Sequence, residues 1–185
     1  TWNYNRENRV LVDYSQLSPS LIQALVATED IRFYDHSGID FFALGRAIIK
    51  RGIFRQKSAG GGSTITQQLA KQLYSGTAHS VMERMLQKPI EWVIAVQLER
   101  NYTKDEIIAM YLNYFDFLHN AVGIKTASNT YFGKEPKDLT VNEAATLIGL
   151  CKNPSYYNPV RHHDRSQERR NVVLGQMVKA GYLTE

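Results

Sequence analysis

Apolar positions recur at helical spacing through most of the chain. Leu21, Ile22, Leu25 and Val26 form one stripe behind Ser18-Pro19, a serine cap followed by a first-turn proline, and predict a helix that carries Glu29 and Asp30 at its C-terminal end. The helix dipole disfavours carboxylates there, which points to a role other than stability. If that helix continues, Glu29, Phe33 and His36 fall at i, i+4 and i+7 and share a face. A second helix is predicted from Asp40 to Arg51, with Phe41, Phe42, Leu44, Ala47, Ile48 and Ile49 apolar almost all round. Ile53-Phe54 and the cations Lys50, Arg51, Arg55 and Lys57 extend it. Two readings stay open: a core helix with a solvated basic end, or a segment dipping into a membrane interface, where aromatic and basic residues mix. Ser58 to Gly62 reads as a flexible loop, and Thr64 to Tyr74 as a helix with Ile65, Leu69 and Leu73 inward. An amphipathic stretch from His79 to Arg100 is broken by Pro89, which leaves Glu91 in the first turn of the continuing helix.

Two capping boxes, Thr103 to Glu106 and Thr140 to Glu143, open a helix from Ile107 to Tyr114 and another ending near Cys151. Phe115 to Lys137 reads as loop-rich with short helical turns, and Asp164 as the cap of a last helix to Lys179, closed by Gly181. Arg9 to Tyr14 alternates and predicts one short strand. Roughly eight helices and very little sheet define an all-α class.

Composition narrows this picture. A chain of 185 residues, 43% hydrophobic and 22% charged, suits one globular domain, with room for an added lobe. The net charge of +4 suits phosphate-bearing partners or an anionic membrane surface. The basic residues are dispersed rather than striped, which argues against nucleic acid. Cys151, the single cysteine, excludes an internal disulfide and a cysteine-rich zinc site. No run of 18 apolar residues occurs, and the abrupt start at Thr1-Trp2-Asn3-Tyr4 reads as a piece of a longer protein.

The chemistry concentrates in two blocks. The first, Glu29 to Gly38, supplies Glu29, Asp30 and His36; the second, Gly60 to Gln68, supplies backbone amides with Ser63, Thr64, Thr66, Gln67 and Gln68. A glycine-rich backbone entering a helix N-terminus is a natural anion site, although no Gly-Lys-Ser/Thr follows and it is not a Walker loop. Each residue also has a bland reading. Glu91 suits a helix N-terminus as a mere charge, His36 suits a hydrogen-bonded structural histidine, and Gln67 and Gln68 could bind substrate or brace the loop. Tyr111-Leu112-Asn113 reads as core packing and His162-His163 as solvated loop.

Taken together, these motifs resemble the peptidoglycan glycosyltransferase domain of class A penicillin-binding proteins and monofunctional transglycosylases, glycosyltransferase family 51. The first motif is Glu29-Asp30-x-x-Phe33-x-x-His36-x-Gly38 and the second Gly62-Ser63-Thr64-x-Thr66-Gln67-Gln68. The third matches at Lys88 and Glu91 with Leu98-Glu99, and the fourth at Tyr111-Leu112-Asn113 and Tyr131-Phe132-Gly133-Lys134. The fifth is Glu143-Ala144-Ala145-x-Leu147 running into Lys152-Asn153-Pro154. The resemblance covers roughly residues 5–185.

The resemblance implies a lysozyme-like helical lobe and a smaller membrane-facing lobe, the latter including roughly residues 40–60. It implies polymerisation of lipid II into glycan strands, at the extracytoplasmic (periplasmic) face of the bacterial inner membrane. An N-terminal anchor would precede Thr1, and a transpeptidase domain would follow. Glu29 would be the base that takes the proton of the acceptor's 4-hydroxyl, and Glu91 the second carboxylate, organising cations near the pyrophosphate. Lys71, Lys88 and Arg84 match phosphate-binding positions, while Asp30, Phe33, His36 and the hydroxyl and amide side chains of the second motif would line the substrate. Some members imply a divalent cation, magnesium or manganese. The chain departs from the pattern at Gln87-Lys88-Pro89, where Arg-Lys is usual, and at Val122-Gly123, where Tyr-Gly is usual. A loop longer by about four residues leaves the phosphate-binding arginine open between Arg84 and the position of His79. A lysozyme-like hydrolase and an inactive cell-wall scaffold are the competing functions. The second motif, suited to an anionic leaving group, argues against the hydrolase, and the intact Glu29 and Glu91 argue against the scaffold.

Overall fold

A computed structural model of the chain describes residues 10–52, 62–74 and 81–184. The all-α class holds among these residues: eight α-helices and two 3-10 turns, with a single isolated bridge between Asp116 and Val122. The chain divides into two compact units, one formed by residues 1–31 and 108–185, the other by residues 32–107.

In the first unit, α1 (Pro19–Glu29) begins as its sequence dictates, with Ser18 Oγ accepting the Leu21 amide at 3.2 Å. Leu21, Ala24, Leu25 and Val26 are buried against α7 (Val141–Leu150) and α8 (His163–Lys179), which also pack on each other. The Thr140 to Glu143 capping box forms, with the Thr140 amide donating to Glu143 at 2.8 Å and the Glu143 amide to Thr140 Oγ1 at 3.4 Å. Tyr111 and Leu112, in the later turns of α5 (Lys104–Tyr114), are fully buried, as the packing reading requires. Asn113 clamps Val12, accepting its amide at 3.1 Å and donating to its carbonyl at 2.8 Å.

Several elements differ from expectation. Residues 10–13 form no strand and lead into a 3-10 turn, Tyr14–Gln16, because the side-chain amide of Asn113 takes the backbone groups a strand partner would need. The segment expected to be loop-rich with short helical turns holds one regular helix, α6 (Ile124–Phe132). Gly123 (φ +88°) opens that helix and Gly133 (φ +65°) closes it. α8 starts one residue before Asp164, which sits in its first turn rather than at the cap. His163 is the first residue of α8, not part of a loop.

In the second unit, α3 (Ile65–Tyr74) packs on α4 (Val81–Asn101). α4 runs unbroken through Pro89; the proline removes one donor from the ladder without ending it. The Thr103 to Glu106 box forms as predicted, with the Thr103 amide donating to Glu106 at 2.7 Å, and the helix starts directly at Lys104. α2 (Phe41–Gly52) is capped by Asp40, which accepts the Ala43 amide at 2.9 Å. Phe41 and Phe42 are 71% and 74% exposed, so for them the core reading of this helix fails. Arg32 lies 4.5 Å from the centroid of the Phe42 ring. No helix among the described residues is long and apolar enough to cross a membrane.

Candidate active-site residues

Glu29 is the last residue of α1, and its side chain is 16% exposed. The helix ends there. Asp30 leaves helical geometry at φ −160°, so Glu29, Phe33 and His36 do not share a helical face. A carboxylate at this end meets the negative pole of the α1 dipole. Arg169 of α8 stands opposite, its Nη2 3.8 Å from Glu29 Oε1. Tyr111 and Cys151 face the same carboxylate. Burial pushes the Tyr111 phenol well above its usual range, with the charges of Cys151 and Glu29 acting in the same direction. Burial, followed by the charge of Glu29, also pushes the Cys151 thiol up, against smaller opposing effects of Tyr111 and Arg169. Both groups are therefore neutral at physiological pH and present dipoles rather than charges. Asp30 itself is buried.

In the other unit, the loop from Arg32 to Gly38 is tied down at three points. Phe33 is fully buried, with its ring edge-on to His36 at 6.1 Å and the Lys104 ammonium 4.3 Å from its centroid. Lys104 Nζ also donates to the His36 carbonyl at 2.6 Å and to both Glu99 oxygens at 2.8 Å. Gly38 donates its amide to His36 Nδ1 at 3.2 Å, which engages that ring nitrogen as an acceptor. Glycine is required at 38, since its φ is +95° and an added Cβ would lie 2.9 Å from the Ala95 carbonyl.

The second motif closes on the same loop. Thr64 Oγ1 donates to the Gly38 carbonyl at 2.7 Å and accepts the Gln67 amide at 3.1 Å, so it caps α3 while holding the loop. Gln67 Nε2 reaches the same carbonyl at 3.3 Å, and Ser63 Oγ donates to Gln67 Oε1 at 3.2 Å. Thr66 Oγ1 donates to Glu99 at 2.6 Å. Of the two readings of Gln67, bracing the loop is the one its contacts describe. Gln68 is half-buried, Lys71 is exposed on the last turn of α3, and Gly62 packs against Ala47 and Leu44 of α2. Gly60, Gly61 and His79 lie outside the described residues, as does the side chain of Arg84.

Lys88 and Glu91 form a separate pair on α4, with Nζ to Oε2 at 2.7 Å. Glu91 is buried to 3% exposure and Lys88 is 45% exposed, so the ammonium covers the carboxylate and keeps a solvent-facing side. Glu91 is thus more than a charge on a helix end. Among the described residues no three His, Cys, Asp or Glu side chains cluster as metal ligands, and the Lys88 ammonium already occupies Glu91 Oε2. This donor set does not by itself make a site for a magnesium or manganese ion.

Sequence reasoning missed Arg169 and Lys104 as partners of these blocks. Arg169 is 140 residues from Glu29, and Lys104 is 68 residues from His36, so no local spacing signals either contact.

The profile of the family described as Transglycosylase matches residues 1–178. Penicillin-binding protein 1F of Bacillus subtilis is 45% identical over 96% of this chain and 24% of its own length. Penicillin-binding protein 1A of Escherichia coli is 39% identical over 98% of this chain and 21% of its own length. Penicillin-binding protein 1A/1B of Bacillus subtilis is 41% identical over 97% of this chain and 19% of its own length. The chain therefore spans 19% to 24% of the length of these relatives.

Proposed function

The chain belongs to the transglycosylase family, and we propose that it is a peptidoglycan glycosyltransferase that polymerises lipid II. The observation that carries this reading is Glu29, a largely buried carboxylate held against the dipole of its own helix with a guanidinium 3.8 Å away. In the transfer, Glu29 takes the proton of the 4-hydroxyl of the acceptor N-acetylglucosamine. That oxygen bonds to the anomeric carbon of the growing strand, and the bond to the lipid pyrophosphate breaks. The electron pair leaves on a phosphate oxygen, which needs cations rather than a proton. Lys88, with its solvent-facing side, and the exposed Lys71 are the described cations suited to that task. Glu91 keeps Lys88 in place across one helical turn. Direct displacement inverts the anomeric centre and gives a β-1,4 link.

The substrate's lipid tail requires a membrane surface. The exposed Phe41, Phe42 and Ile49 of α2 suit such a surface at the periplasmic face. The relatives are named as penicillin-binding proteins and are four to five times longer. Those names and lengths support a proposed full-length protein in which this domain is joined to a penicillin-binding one.

The test is polymerisation of lipid II by the parent and by Glu29→Gln. Glycan strands from the parent and none from a folded variant support the proposal. Cleavage of preformed glycan by the parent without polymerisation overturns it in favour of a hydrolase.

A further inference from the structure

The turn that joins α5 to α6 is built against the preference of its own backbone. Leu118, His119 and Asn120 take φ angles of +66°, +53° and +59°, three consecutive side-chain-bearing residues in the left-handed region. That region crowds the Cβ of an L residue against its carbonyl, so a run of three persists only where its surroundings hold it. Local bonds supply part of the hold. The Leu118 amide donates to Asp116 Oδ1 at 2.8 Å, the Ala121 amide to the Leu118 carbonyl at 2.8 Å, and the Phe117 amide to the Ala121 carbonyl at 2.9 Å. From α6, Tyr131 donates its hydroxyl to the Phe117 carbonyl at 2.7 Å and lies edge-on to the His119 ring. A further tie comes from the turn between α7 and α8, where Asn158 Nδ2 stands 3.0 Å from His119 Nε2.

That contact has a fixed polarity. Asn158 is buried, and its Oδ1 accepts the amides of Val160 at 2.9 Å and Arg161 at 3.2 Å. Those two donors orient the side-chain amide, so the group facing His119 is its NH2. A donor needs a lone pair opposite it, which puts the His119 proton on Nδ1 and leaves Nε2 bare. A second proton on the ring would turn Nε2 into a donor facing another donor, and the bond would be lost. His119 is exposed, so solvent protons reach it. The neighbouring groups that titrate or carry charge are Asp116 of the same turn, Tyr131 of α6, and Arg161 and His162 beside Asn158. Burial raises the Tyr131 phenol above its usual range, opposed by the bond from Asn158 and aided by the charge of Asp116. The phenol is therefore neutral wherever imidazole titrates.

We propose that His119 and Asn158 form a pH-operated clasp between the α5–α6 turn and the α7–α8 turn. With the ring neutral the clasp is closed and helps to hold Leu118, His119 and Asn120 in their left-handed path. Protonation of His119 opens it and frees the turn to relax toward ordinary backbone angles.

The test is NMR of the whole chain at about pH 7.5 and about pH 5.5, on either side of the ordinary imidazole range. Amide hydrogen exchange is measured at both and corrected for its intrinsic pH dependence. At the higher pH the ring nitrogens of His119 should report a proton on Nδ1 and none on Nε2. At the lower pH the Phe117 and Ala121 amides should lose about three- to tenfold of their protection, the scale of one net hydrogen bond. His119→Gln keeps an acceptor for Asn158 but cannot titrate, while Asp116, Arg161 and His162 remain in place. Its turn should be equally protected at both pH values. Asn158→Asp puts a carboxylate oxygen where the amide nitrogen stood, which favours the protonated ring, so protection should rise at the lower pH. If Asn158→Asp does not fold, the parent and His119→Gln, altered only at an exposed residue, still decide the outcome. The proposal is overturned by a proton on Nε2 of the parent at the higher pH, or by parental protection that does not change with pH. It is equally overturned if His119→Gln retains the parent's pH response, or if a folded Asn158→Asp follows the parent's trend.

Discussion

The end of α1 and the loop from Arg32 to Gly38 are adjacent in sequence and opposite in construction. At Glu29 the described ion pair is long, 3.8 Å, and the arginine making it has a donor unmet. Around His36 and Gly38 the described hydrogen bonds run from 2.6 to 3.3 Å, and Thr64, Gln67 and Lys104 converge on two carbonyls. One region sets a guanidinium opposite a reactive carboxylate, and the other fixes a backbone through hydrogen bonds to its carbonyls. A motif that spans both, as the Glu29 to Gly38 block does, therefore mixes chemistry with architecture. Its residues should fail in different ways when changed.

The largest expected effect is at Glu29. Glu29→Gln should lower the polymerisation rate by roughly 10²–10⁴-fold, the usual range for a lost general base, with the unfolding midpoint nearly unmoved. Equal losses of rate and stability would erase the contrast between the regions. Next comes Gly38→Ala, where a φ of +95° and a 2.9 Å contact with the Ala95 carbonyl leave no room for a side chain. Its stability in urea should fall by about 1–3 kcal/mol or more. A smaller effect is expected for Thr66→Val, which removes the 2.6 Å bond to the buried Glu99 carboxylate. It should cost about 1–3 kcal/mol, seen as a shift of the urea midpoint at unchanged slope. The smallest is a pH effect away from both regions. Burial of Glu143 opposes its charge, but hydrogen bonds from Lys134 and Thr140 outweigh it and hold the carboxyl below its usual value. A carboxyl depressed in the folded state stabilises above its unfolded pKa, and that stability is lost as pH falls through the folded value. Lys134→Met should flatten the stability profile below about pH 4 and leave it unchanged in shape near neutrality.

Legibility from sequence followed the range of each interaction. Ser18-Pro19 and the two capping boxes act across three residues, and all of them formed. The strand expected from Arg9 to Tyr14 failed because Asn113, a hundred residues away, takes the backbone of Val12. Pro89 was read as a break because a proline removes one donor, yet α4 keeps its course, with α3 packed against it. α6 is longer and more regular than the short helical turns expected there, because its two boundary glycines look like loop residues until their positive φ angles identify them as helix ends. In the candidate blocks the charged side chains are legible in the sequence, but their partners are not. Glu29, Lys88 and Glu91 carry visible charge; that Arg169 faces one and Lys104 organises a neighbouring loop depends on tertiary packing.

The unbroken course of α4 has a consequence for how this protein can vary. Glu91, engaged by Lys88, and Glu99, engaged by Thr66 and Lys104, stand eight residues apart on one helix. At 1.5 Å and about 100° per residue, that separation is roughly 12 Å along the axis and a little over two turns. Substitutions between them leave this register intact. A single inserted or deleted residue would rotate one carboxylate by about 100° relative to the other and detach it from its partners. Over this stretch the chain is free to drift in composition but not in length, and natural variants should show that asymmetry.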